Sequence, residues 1–358
     1  MTEKRLLEIT RSRPFEKWTG DPMDIPCRET SDAERLCRRP VVSVAMLAYN
    51  HEPFVRQAIE GVMMQKTDFE FELVIGEDCS TDKTREICFE CQRKFPDKIR
   101  VLWSDENLFR HPHPAGGNSR RVRSHCRGEF VAFCEGDDYW TDPTKLQRQV
   151  DVMRRHPEVS LCAHAFRTLC DGELASVARS WAKFDEMKKA GGDGDGFKFG
   201  VLDCFYDWLW IHTASVMYRR SMFDRAFYLR AKYHCDAIEF YACLHEGVGY
   251  FIDREMSVYR IGSQGVYSRM SARGRRVFGL GNAWAIYDAD PNEVSREIVR
   301  RAARKLEELD FPRCALTRLR RAVSRVVRHA FHLGASGEPT RFNRFVDRIR
   351  HRIGSSRS

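Results

Sequence analysis

Three carboxylates fall within four residues, at Glu135, Asp137 and Asp138, with Gly136 between the first two. Acids crowded this closely repel one another unless something positive sits among them. Clustered oxygen ligands at the end of a strand are a common way to present carboxylates to a divalent cation. The same residues also suit an exposed turn, because Asp and Gly favour turns. Spacing alone leaves both readings open. Two more polar clusters, Tyr49–Asn50 and Asp78, stand in comparable positions, each just beyond an apolar run.

Strands have to place these residues. Residues 130–134 (FVAFC) form a short apolar run ending at Glu135, which reads as a buried strand. Residues 41–47 (VVSVAML), 71–76 (FELVIG) and 99–103 (IRVLW) read the same way. Helices are expected between them. One begins near Pro53 and carries Ala58, Ile59, Val62 and Met63 on one face. A second runs to about Phe95, with Ser80 or Asp82 as its cap, and a third spans about 117–126. Strand and helix alternate four times, the pattern of a doubly wound α/β fold with a mostly parallel sheet. Such sheets bind ligands at the C-terminal ends of their strands. All three polar clusters lie at such ends.

Beyond Trp140 a helix is expected over 143–156 and a strand over 159–166. Residues 167–208 are weakly patterned, and GGDGDG at 191–196 reads as a loop. Residues 212–218 and 234–246 read as strand and helix, and 249–253 and 256–260 as short strands. From about 270 the chain turns helical. Val294, Ile298, Ala302 and Leu309 mark one amphipathic helix, and Leu316, Leu319, Val323, Val326, Ala330 and Leu333 another. The first 40 residues, broken by Pro14, Pro22, Pro26 and Pro40, read as an extended arm with one short helix.

Composition narrows the function classes. With 42% hydrophobic residues the chain can bury a large core, and no apolar run approaches the length of a membrane span. Thirteen cysteines at irregular spacings, without an apolar N-terminal leader, point to reduced thiols in a cytoplasmic setting. Twelve Arg and no Lys stand against Glu338 and Asp347 between Arg313 and Ser358. That tail accounts for the whole net charge of +9 and leaves the rest of the chain near neutral.

Three segments carry a resemblance: VSVAMLAYNHEPFVRQAIEGVMMQ, VIGEDCSTDKT and RGEFVAFCEGDDYWTDPTKLQRQVD. In order and spacing they resemble the N-terminal half of family 2 glycosyltransferases of the GT-A fold, over roughly residues 41–265. The resemblance implies an inverting, metal-dependent transfer of a sugar from a UDP- or dTDP-type donor to an acceptor hydroxyl. Surface polysaccharide or glycoconjugate synthesis is the expected setting, with a saccharide or lipid-linked acceptor. Glu135-Gly136-Asp137 matches the family's D-x-D position, which holds Mg2+ or Mn2+ against the donor diphosphate. A developing diphosphate charge needs such a Lewis acid. Asp137 is the expected direct ligand and Glu135 the longer variant beside it, reaching ribose or metal, with Asp138 in support.

Further donor contacts follow from the same resemblance. Ala48, Tyr49 and Asn50 match the loop against base and ribose. Asp78 matches the acid that bonds the imide N–H of the base. Asn118 matches a polar contact near the nucleotide, although Ser119 stands where many relatives carry Arg. Asp236, at the start of a helix, matches the catalytic base; helix capping is the alternative reading, and Glu239 one turn on is the substitute candidate. Trp140 is either a wall of the site or a core aromatic. Gly262 stands where relatives carry His, with Arg260 and the loop 263–265 beside it.

Other constellations carry less. Cys88 and Cys91 form a C-x-x-C without a second pair, which does not suit zinc. His111 and His113 read as a surface loop. Neither a P-loop nor a G-x-G-x-x-G is present. The Arg-rich helix shows no aromatic interleaving, so no nucleic-acid partner is expected. Its apolar stripe with flanking Arg suits a helix packed on the body with a solvated basic face, or peripheral contact with an anionic membrane at its inner face. The expected organisation is an arm (1–40), a GT-A domain (41–268, with nucleotide-sugar half 41–142 and acceptor half 143–268) and a helical basic extension (269–358). A sugar nucleotidyltransferase would need a Gly-rich basic loop after the first strand, which AYNHEPF is not. A nucleotide-sugar-binding protein without turnover is the rival from outside enzymes.

Overall fold

A computed structural model describes residues 27–108, 117–177, 182–191, 195–205, 210–224, 236–245, 247–262 and 270–310. The first half runs β1 (Arg28–Thr30), β2 (Val42–Ala48), α1 (Val55–Met63), β3 (Phe71–Glu77), α2 (Thr84–Lys94), β4 (Ile99–Trp103), α3 (Gly117–His125) and β5 (Phe130–Phe133). The second runs β6 (Tyr139–Trp140), α4 (Lys145–Arg155), β7 (Val159–Cys170), β8 (Glu173–Ser176), α5 (Ala182–Gly191), β9 (Gly196–Phe199), α6 (Val201–Cys204), β10 (Met217–Arg219), α7 (Asp236–Leu244), β11 (Val248–Ile261), α8 (Ala272–Ala289) and α9 (Glu293–Asp310).

One sheet links them in the order β1-β4-β3-β2-β5-β10-β7-β11-β6, with β8 added to β7 and β9 to β11. Strands β4, β3, β2 and β5 are parallel neighbours, as are β7 and β11. This is the doubly wound GT-A arrangement, with antiparallel strands at its edges and in the middle of its second half. Every residue of β3 and β5 is buried, because helices cover both faces. The pleat divides their side chains. Val44, Met46, Leu73 and Ile75 join Ala58, Ile59 and Val62 of α1 and Leu146 and Val150 of α4. Ala45, Val74, Val131 and Phe133 join Val122 of α3, Ile238 and Tyr241 of α7, and Leu280 and Ile298 of α8 and α9. Each such fully buried aliphatic chain contributes about 1.5–3 kcal/mol of transfer free energy.

Close approach makes two glycines obligatory. A Cβ at Gly76 would stand 2.3 Å from Val122 and 2.5 Å from the Asn118 oxygen, so Gly76 lets α3 lie against the end of β3. A Cβ at Gly136 would stand 2.7 Å from His51 Nδ1 and 3.1 Å from the Leu47 carbonyl. Gly136 therefore seats the acidic turn against the end of β2, where its N–H donates to that carbonyl at 2.9 Å.

Three expectations change in detail. Residues 212–218 are a 3-10 turn, Thr213–Ser215, followed by the short β10, rather than one strand. The turn forms because His212 Nδ1 accepts from the Ala214 N–H at 3.2 Å and the Ser215 hydroxyl donates to the His212 carbonyl at 2.6 Å. The two short strands at 249–260 are one, β11, whose register against β7 slips between Ile252 and Ser257. Arg254 and Glu255, which separate the two expected strands, lie at that slip. The arm contributes β1, which pairs antiparallel with β4 at the sheet edge. Its Glu29 accepts from Arg100 at 2.8 Å.

The chain through Leu306 is a single unit, and of the second, Glu307–Ser358, only the end of α9 is described. The basic helix expected over 316–333, the histidines 111 and 113, and the loop 263–265 all lie outside the described residues. Every described cysteine is a free thiol, and Cys88 and Cys91 are buried on α2. Among the described residues no helix is long and apolar enough to cross a membrane.

Candidate active site

The parallel order of β3, β2 and β5 brings their C-terminal ends side by side, and the loops that follow are laced together. The Asn50 side-chain oxygen accepts from the Thr81 N–H at 2.9 Å, and the Asn50 N–H donates to the Ser80 hydroxyl at 3.1 Å. His51 N–H donates to Thr84 Oγ1 at 2.8 Å, and Glu52 N–H to Asp82 at 3.0 Å. Glu52 returns the contact by accepting from the Lys83 N–H at 3.1 Å. Asn50 and Cys79 both take left-handed backbone, with φ of 54° and 57°. Asn adopts that conformation more readily than most residues; for Cys it is a strained position held by its surroundings.

Asp78 is buried at the end of β3. Its carboxylate accepts from the Leu108 N–H at 2.7 Å, and its carbonyl from the Asn107 amide at 2.7 Å. Ala48 closes β2, and its carbonyl accepts from the Asp78 N–H at 3.0 Å; Tyr49 follows, half-buried. Asn118 faces the same strand end from α3. Its amide donates to the Gly76 carbonyl at 2.8 Å and its oxygen accepts from Arg121 at 2.8 Å. Arg121, fully buried, also donates to the Glu77 carbonyl at 2.8 Å. Arg121 is thus bound into the backbone of β3.

The three acids that follow β5 have different surroundings. Asp138 is buried, accepts from the Arg260 N–H at 2.9 Å, and faces His212 Nε2 at 3.6 Å. Burial and the neighbouring Asp137 charge push its carboxyl well above the usual range. Burial pulls His212 down to about 3, so the imidazole is neutral at physiological pH. Because Nδ1 accepts from Ala214, its proton sits on Nε2, toward Asp138. Glu135 is half-buried. Its carboxyl is raised to about 8, first by burial and then by the charges of Asp236 and Asp137. Asp137 has 36% of its side chain exposed, with His51 Nε2 at 3.9 Å.

Asp236 opens α7, and the Thr213 hydroxyl donates to its Oδ2 at 2.7 Å. The fold therefore brings Asp236, from the far half of the chain, within electrostatic reach of Glu135. Glu239, one turn on, is buried in an ion pair with Arg123 and accepts from the Tyr218 hydroxyl at 2.7 Å. Those partners make it a brace between α3, β10 and α7. Trp140 is a core aromatic: 2% exposed, it donates to the Ala214 carbonyl at 2.9 Å, and the Lys145 ammonium lies 3.8 Å from its ring centre. Arg260 is sandwiched between Phe54 and Tyr139 and bonded to Gln57. It ties β11 to α1.

Residues 43–227 match the model of the glycosyl transferase family 2. The chain belongs to this family. An uncharacterized protein of Mycobacterium tuberculosis is 40% identical over 128 residues, covering 36% of each chain. The match thus spans little more than a third of that relative's length. The poly(ribitol-phosphate) beta-N-acetylglucosaminyltransferase TarS of Staphylococcus aureus is 30% identical over 123 residues, 33% of this chain and 20% of TarS. A crystal structure of TarS residues 1–349 with UDP-GlcNAc superposes with a TM-score of 0.53 at 18% identity, over 74% of this chain and 72% of that one. At that identity the family 2 likeness is one of fold.

Sequence reading missed three residues of this site. His51 stands behind the acidic turn, with a buried Nδ1 that has no partner among the described residues. His212 and Thr213 lie at the end of the weakly patterned region and contact Asp138 and Asp236 respectively. A polar His-Thr pair inside an otherwise apolar stretch, WIHTASVM, was the available signal.

Proposed function

We propose that this family 2 protein transfers a sugar, with inversion, from a UDP- or dTDP-type donor to an acceptor hydroxyl, with the aid of Mg2+ or Mn2+. The observation that carries the reading is the meeting of two acidic groups drawn from distant sequence: Glu135 and Asp137 after β5, and Asp236 at the head of α7. Burial first, and then the charges of Asp236 and Asp137, raise the Glu135 carboxyl to about 8, so it holds its proton at neutral pH. Such a surplus of carboxylate suits a divalent cation.

Asp137 is the proposed direct ligand, with Glu135 beside it. Among the described residues no three His, Cys, Asp or Glu side chains are grouped to hold a metal unaided. That fits Mg2+ or Mn2+ taken with the donor, since Mg2+ binds through one or two carboxylates plus substrate phosphates. When bound, the ion neutralises charge on the departing nucleoside diphosphate. Ala48, Tyr49, Asn50 and Asp78 would line the base and ribose, Asn118 would keep the end of β3 in place, and Asp138 would hold β11 beside the acidic turn. Asp236 would take the proton of the acceptor hydroxyl. The acceptor oxygen forms its bond to the anomeric carbon as the bond to the diphosphate oxygen breaks on the opposite face, which inverts the centre.

The TarS relative makes cell-surface polymer synthesis the proposed setting, with a saccharide or lipid-linked acceptor. A thermal-shift screen of UDP-, dTDP- and GDP-sugars with Mn2+, followed by product analysis, tests the reading. A metal-dependent shift with a UDP- or dTDP-sugar, and release of the diphosphate, is expected. No shift and no turnover across the panel would leave the nucleotide-sugar reading without support.

The arginine-rich tail at 313–358 supports a second proposal, peripheral contact with an anionic membrane at its cytoplasmic face. The full chain is expected to sediment with phosphatidylglycerol vesicles and not with phosphatidylcholine vesicles, and a chain ending at residue 312 with neither. Equal sedimentation of the two proteins would remove the tail from membrane binding.

A further inference from the structure

We infer that Thr213 is a positioning residue for the catalytic base: its hydroxyl fixes one oxygen of Asp236 so that the other is presented to the acceptor. The inference rests on the proposed role of Asp236.

Asp236 is exposed and stands at the first residue of α7. An exposed carboxylate normally samples several rotamers, and its two oxygens exchange. Here the Thr213 hydroxyl donates to Oδ2 at 2.7 Å, a charge-assisted geometry. Thr213 itself is held from both sides. It is 7% exposed, it lies in a 3-10 turn closed by His212 Nδ1 and the Ser215 hydroxyl, and as a β-branched residue it has few rotamers. The neighbouring His212 packs against Tyr259, ring centres 4.1 Å apart, and turns its Nε2 toward Asp138. One dipeptide thus touches the acid beside the metal turn and the acid proposed as base. With Oδ2 occupied, Oδ1 is left to receive the acceptor proton. The arrangement follows the triad logic, in which a third group orients the base.

The prediction concerns turnover, not donor binding. In Thr213→Val, kcat is expected to fall about 10- to 100-fold, the size of a hydrogen bond to a charged group, with the donor KM unchanged within about twofold. Thr213→Ser keeps the hydroxyl and is expected to recover kcat to within about threefold of the parent. The assay follows UDP or dTDP release with Mn2+ from UDP-glucose, UDP-N-acetylglucosamine and dTDP-rhamnose, with water as acceptor. Crystal structures of both variants supply a readout that needs no activity. The serine hydroxyl should stay within hydrogen-bond distance of Asp236, and the Asp236 side chain should leave that position in the valine variant. If Asp236→Asn loses turnover while Thr213→Val keeps the parental kcat, or if Thr213→Val and Thr213→Ser lose it equally, the positioning role is wrong and the base assignment stands. If Asp236→Asn retains turnover, the base assignment fails and the inference falls with it.

Discussion

Asp137→Ala is expected to abolish metal-dependent donor binding while leaving the fold intact. Calorimetric titration of the Mn2+–UDP-sugar pair should show at least a hundredfold weaker binding, about 2.7 kcal/mol. The size follows from what the three acids have around them. Asp138 is buried and committed to the Arg260 N–H, and Glu135 is held protonated by burial first and then by the charges of Asp236 and Asp137. Asp137 remains, with 36% of its side chain exposed and His51 Nε2 at 3.9 Å. Its removal creates no cavity and strands no buried donor, so stability should move by no more than about 0.5 kcal/mol. Unchanged donor affinity would take Asp137 out of the metal site.

The same variant has a pH signature in the metal-free protein. Glu135 sits near 8 when folded, against an ordinary value of 4.5. Between those values the folded chain holds a proton that the unfolded chain has released, so stability falls as pH rises through the window and levels off above it. Asp137→Ala removes one of the charges that raise Glu135, so the decline in melting temperature from pH 4.5 to pH 8 should become shallower. An identical slope in the two proteins would show that the Asp137 charge does not reach Glu135.

Much of this arrangement was legible because strand periodicity and polar punctuation are local signals. The runs at 71–76, 99–103 and 130–134 became β3, β4 and β5 almost residue for residue, and the polar residues beyond β2, β3 and β5 lie on one edge of the sheet because parallel order leaves them no other place. What escaped is what depends on contacts between distant segments. Trp140 reads equally well as a site wall until the Ala214 carbonyl and Lys145 are seen against it. Glu239 has the spacing of a second base, but its pairing with Arg123 depends on the packing of α3 against α7. Thr213 carries no periodic signal, since a 3-10 turn closed by its own side chains looks like an ordinary strand in a short window. The arm hid β1 for a similar reason: three residues at an edge make sense only beside β4.

Asp236→Asn separates chemistry from binding more sharply than any other change. The amide is nearly isosteric and can still accept from the Thr213 hydroxyl, so the start of α7 should keep its place. What it lacks is basicity. General-base catalysis contributes about 10^2- to 10^4-fold, and kcat should fall by that factor, with donor KM and Mn2+ dependence near parental values. Donor affinity should rise slightly if it moves at all. Asp236 adds to the negative charge around Glu135, and a neutral side chain there relieves part of the repulsion that an incoming diphosphate also meets. Loss of donor binding together with kcat would instead mean that Asp236 belongs to the metal-diphosphate side of the site. Full activity would mean that the acceptor proton leaves by another route. Glu239 does not offer one, because it is buried beneath Arg123 and Tyr218 and out of contact with solvent.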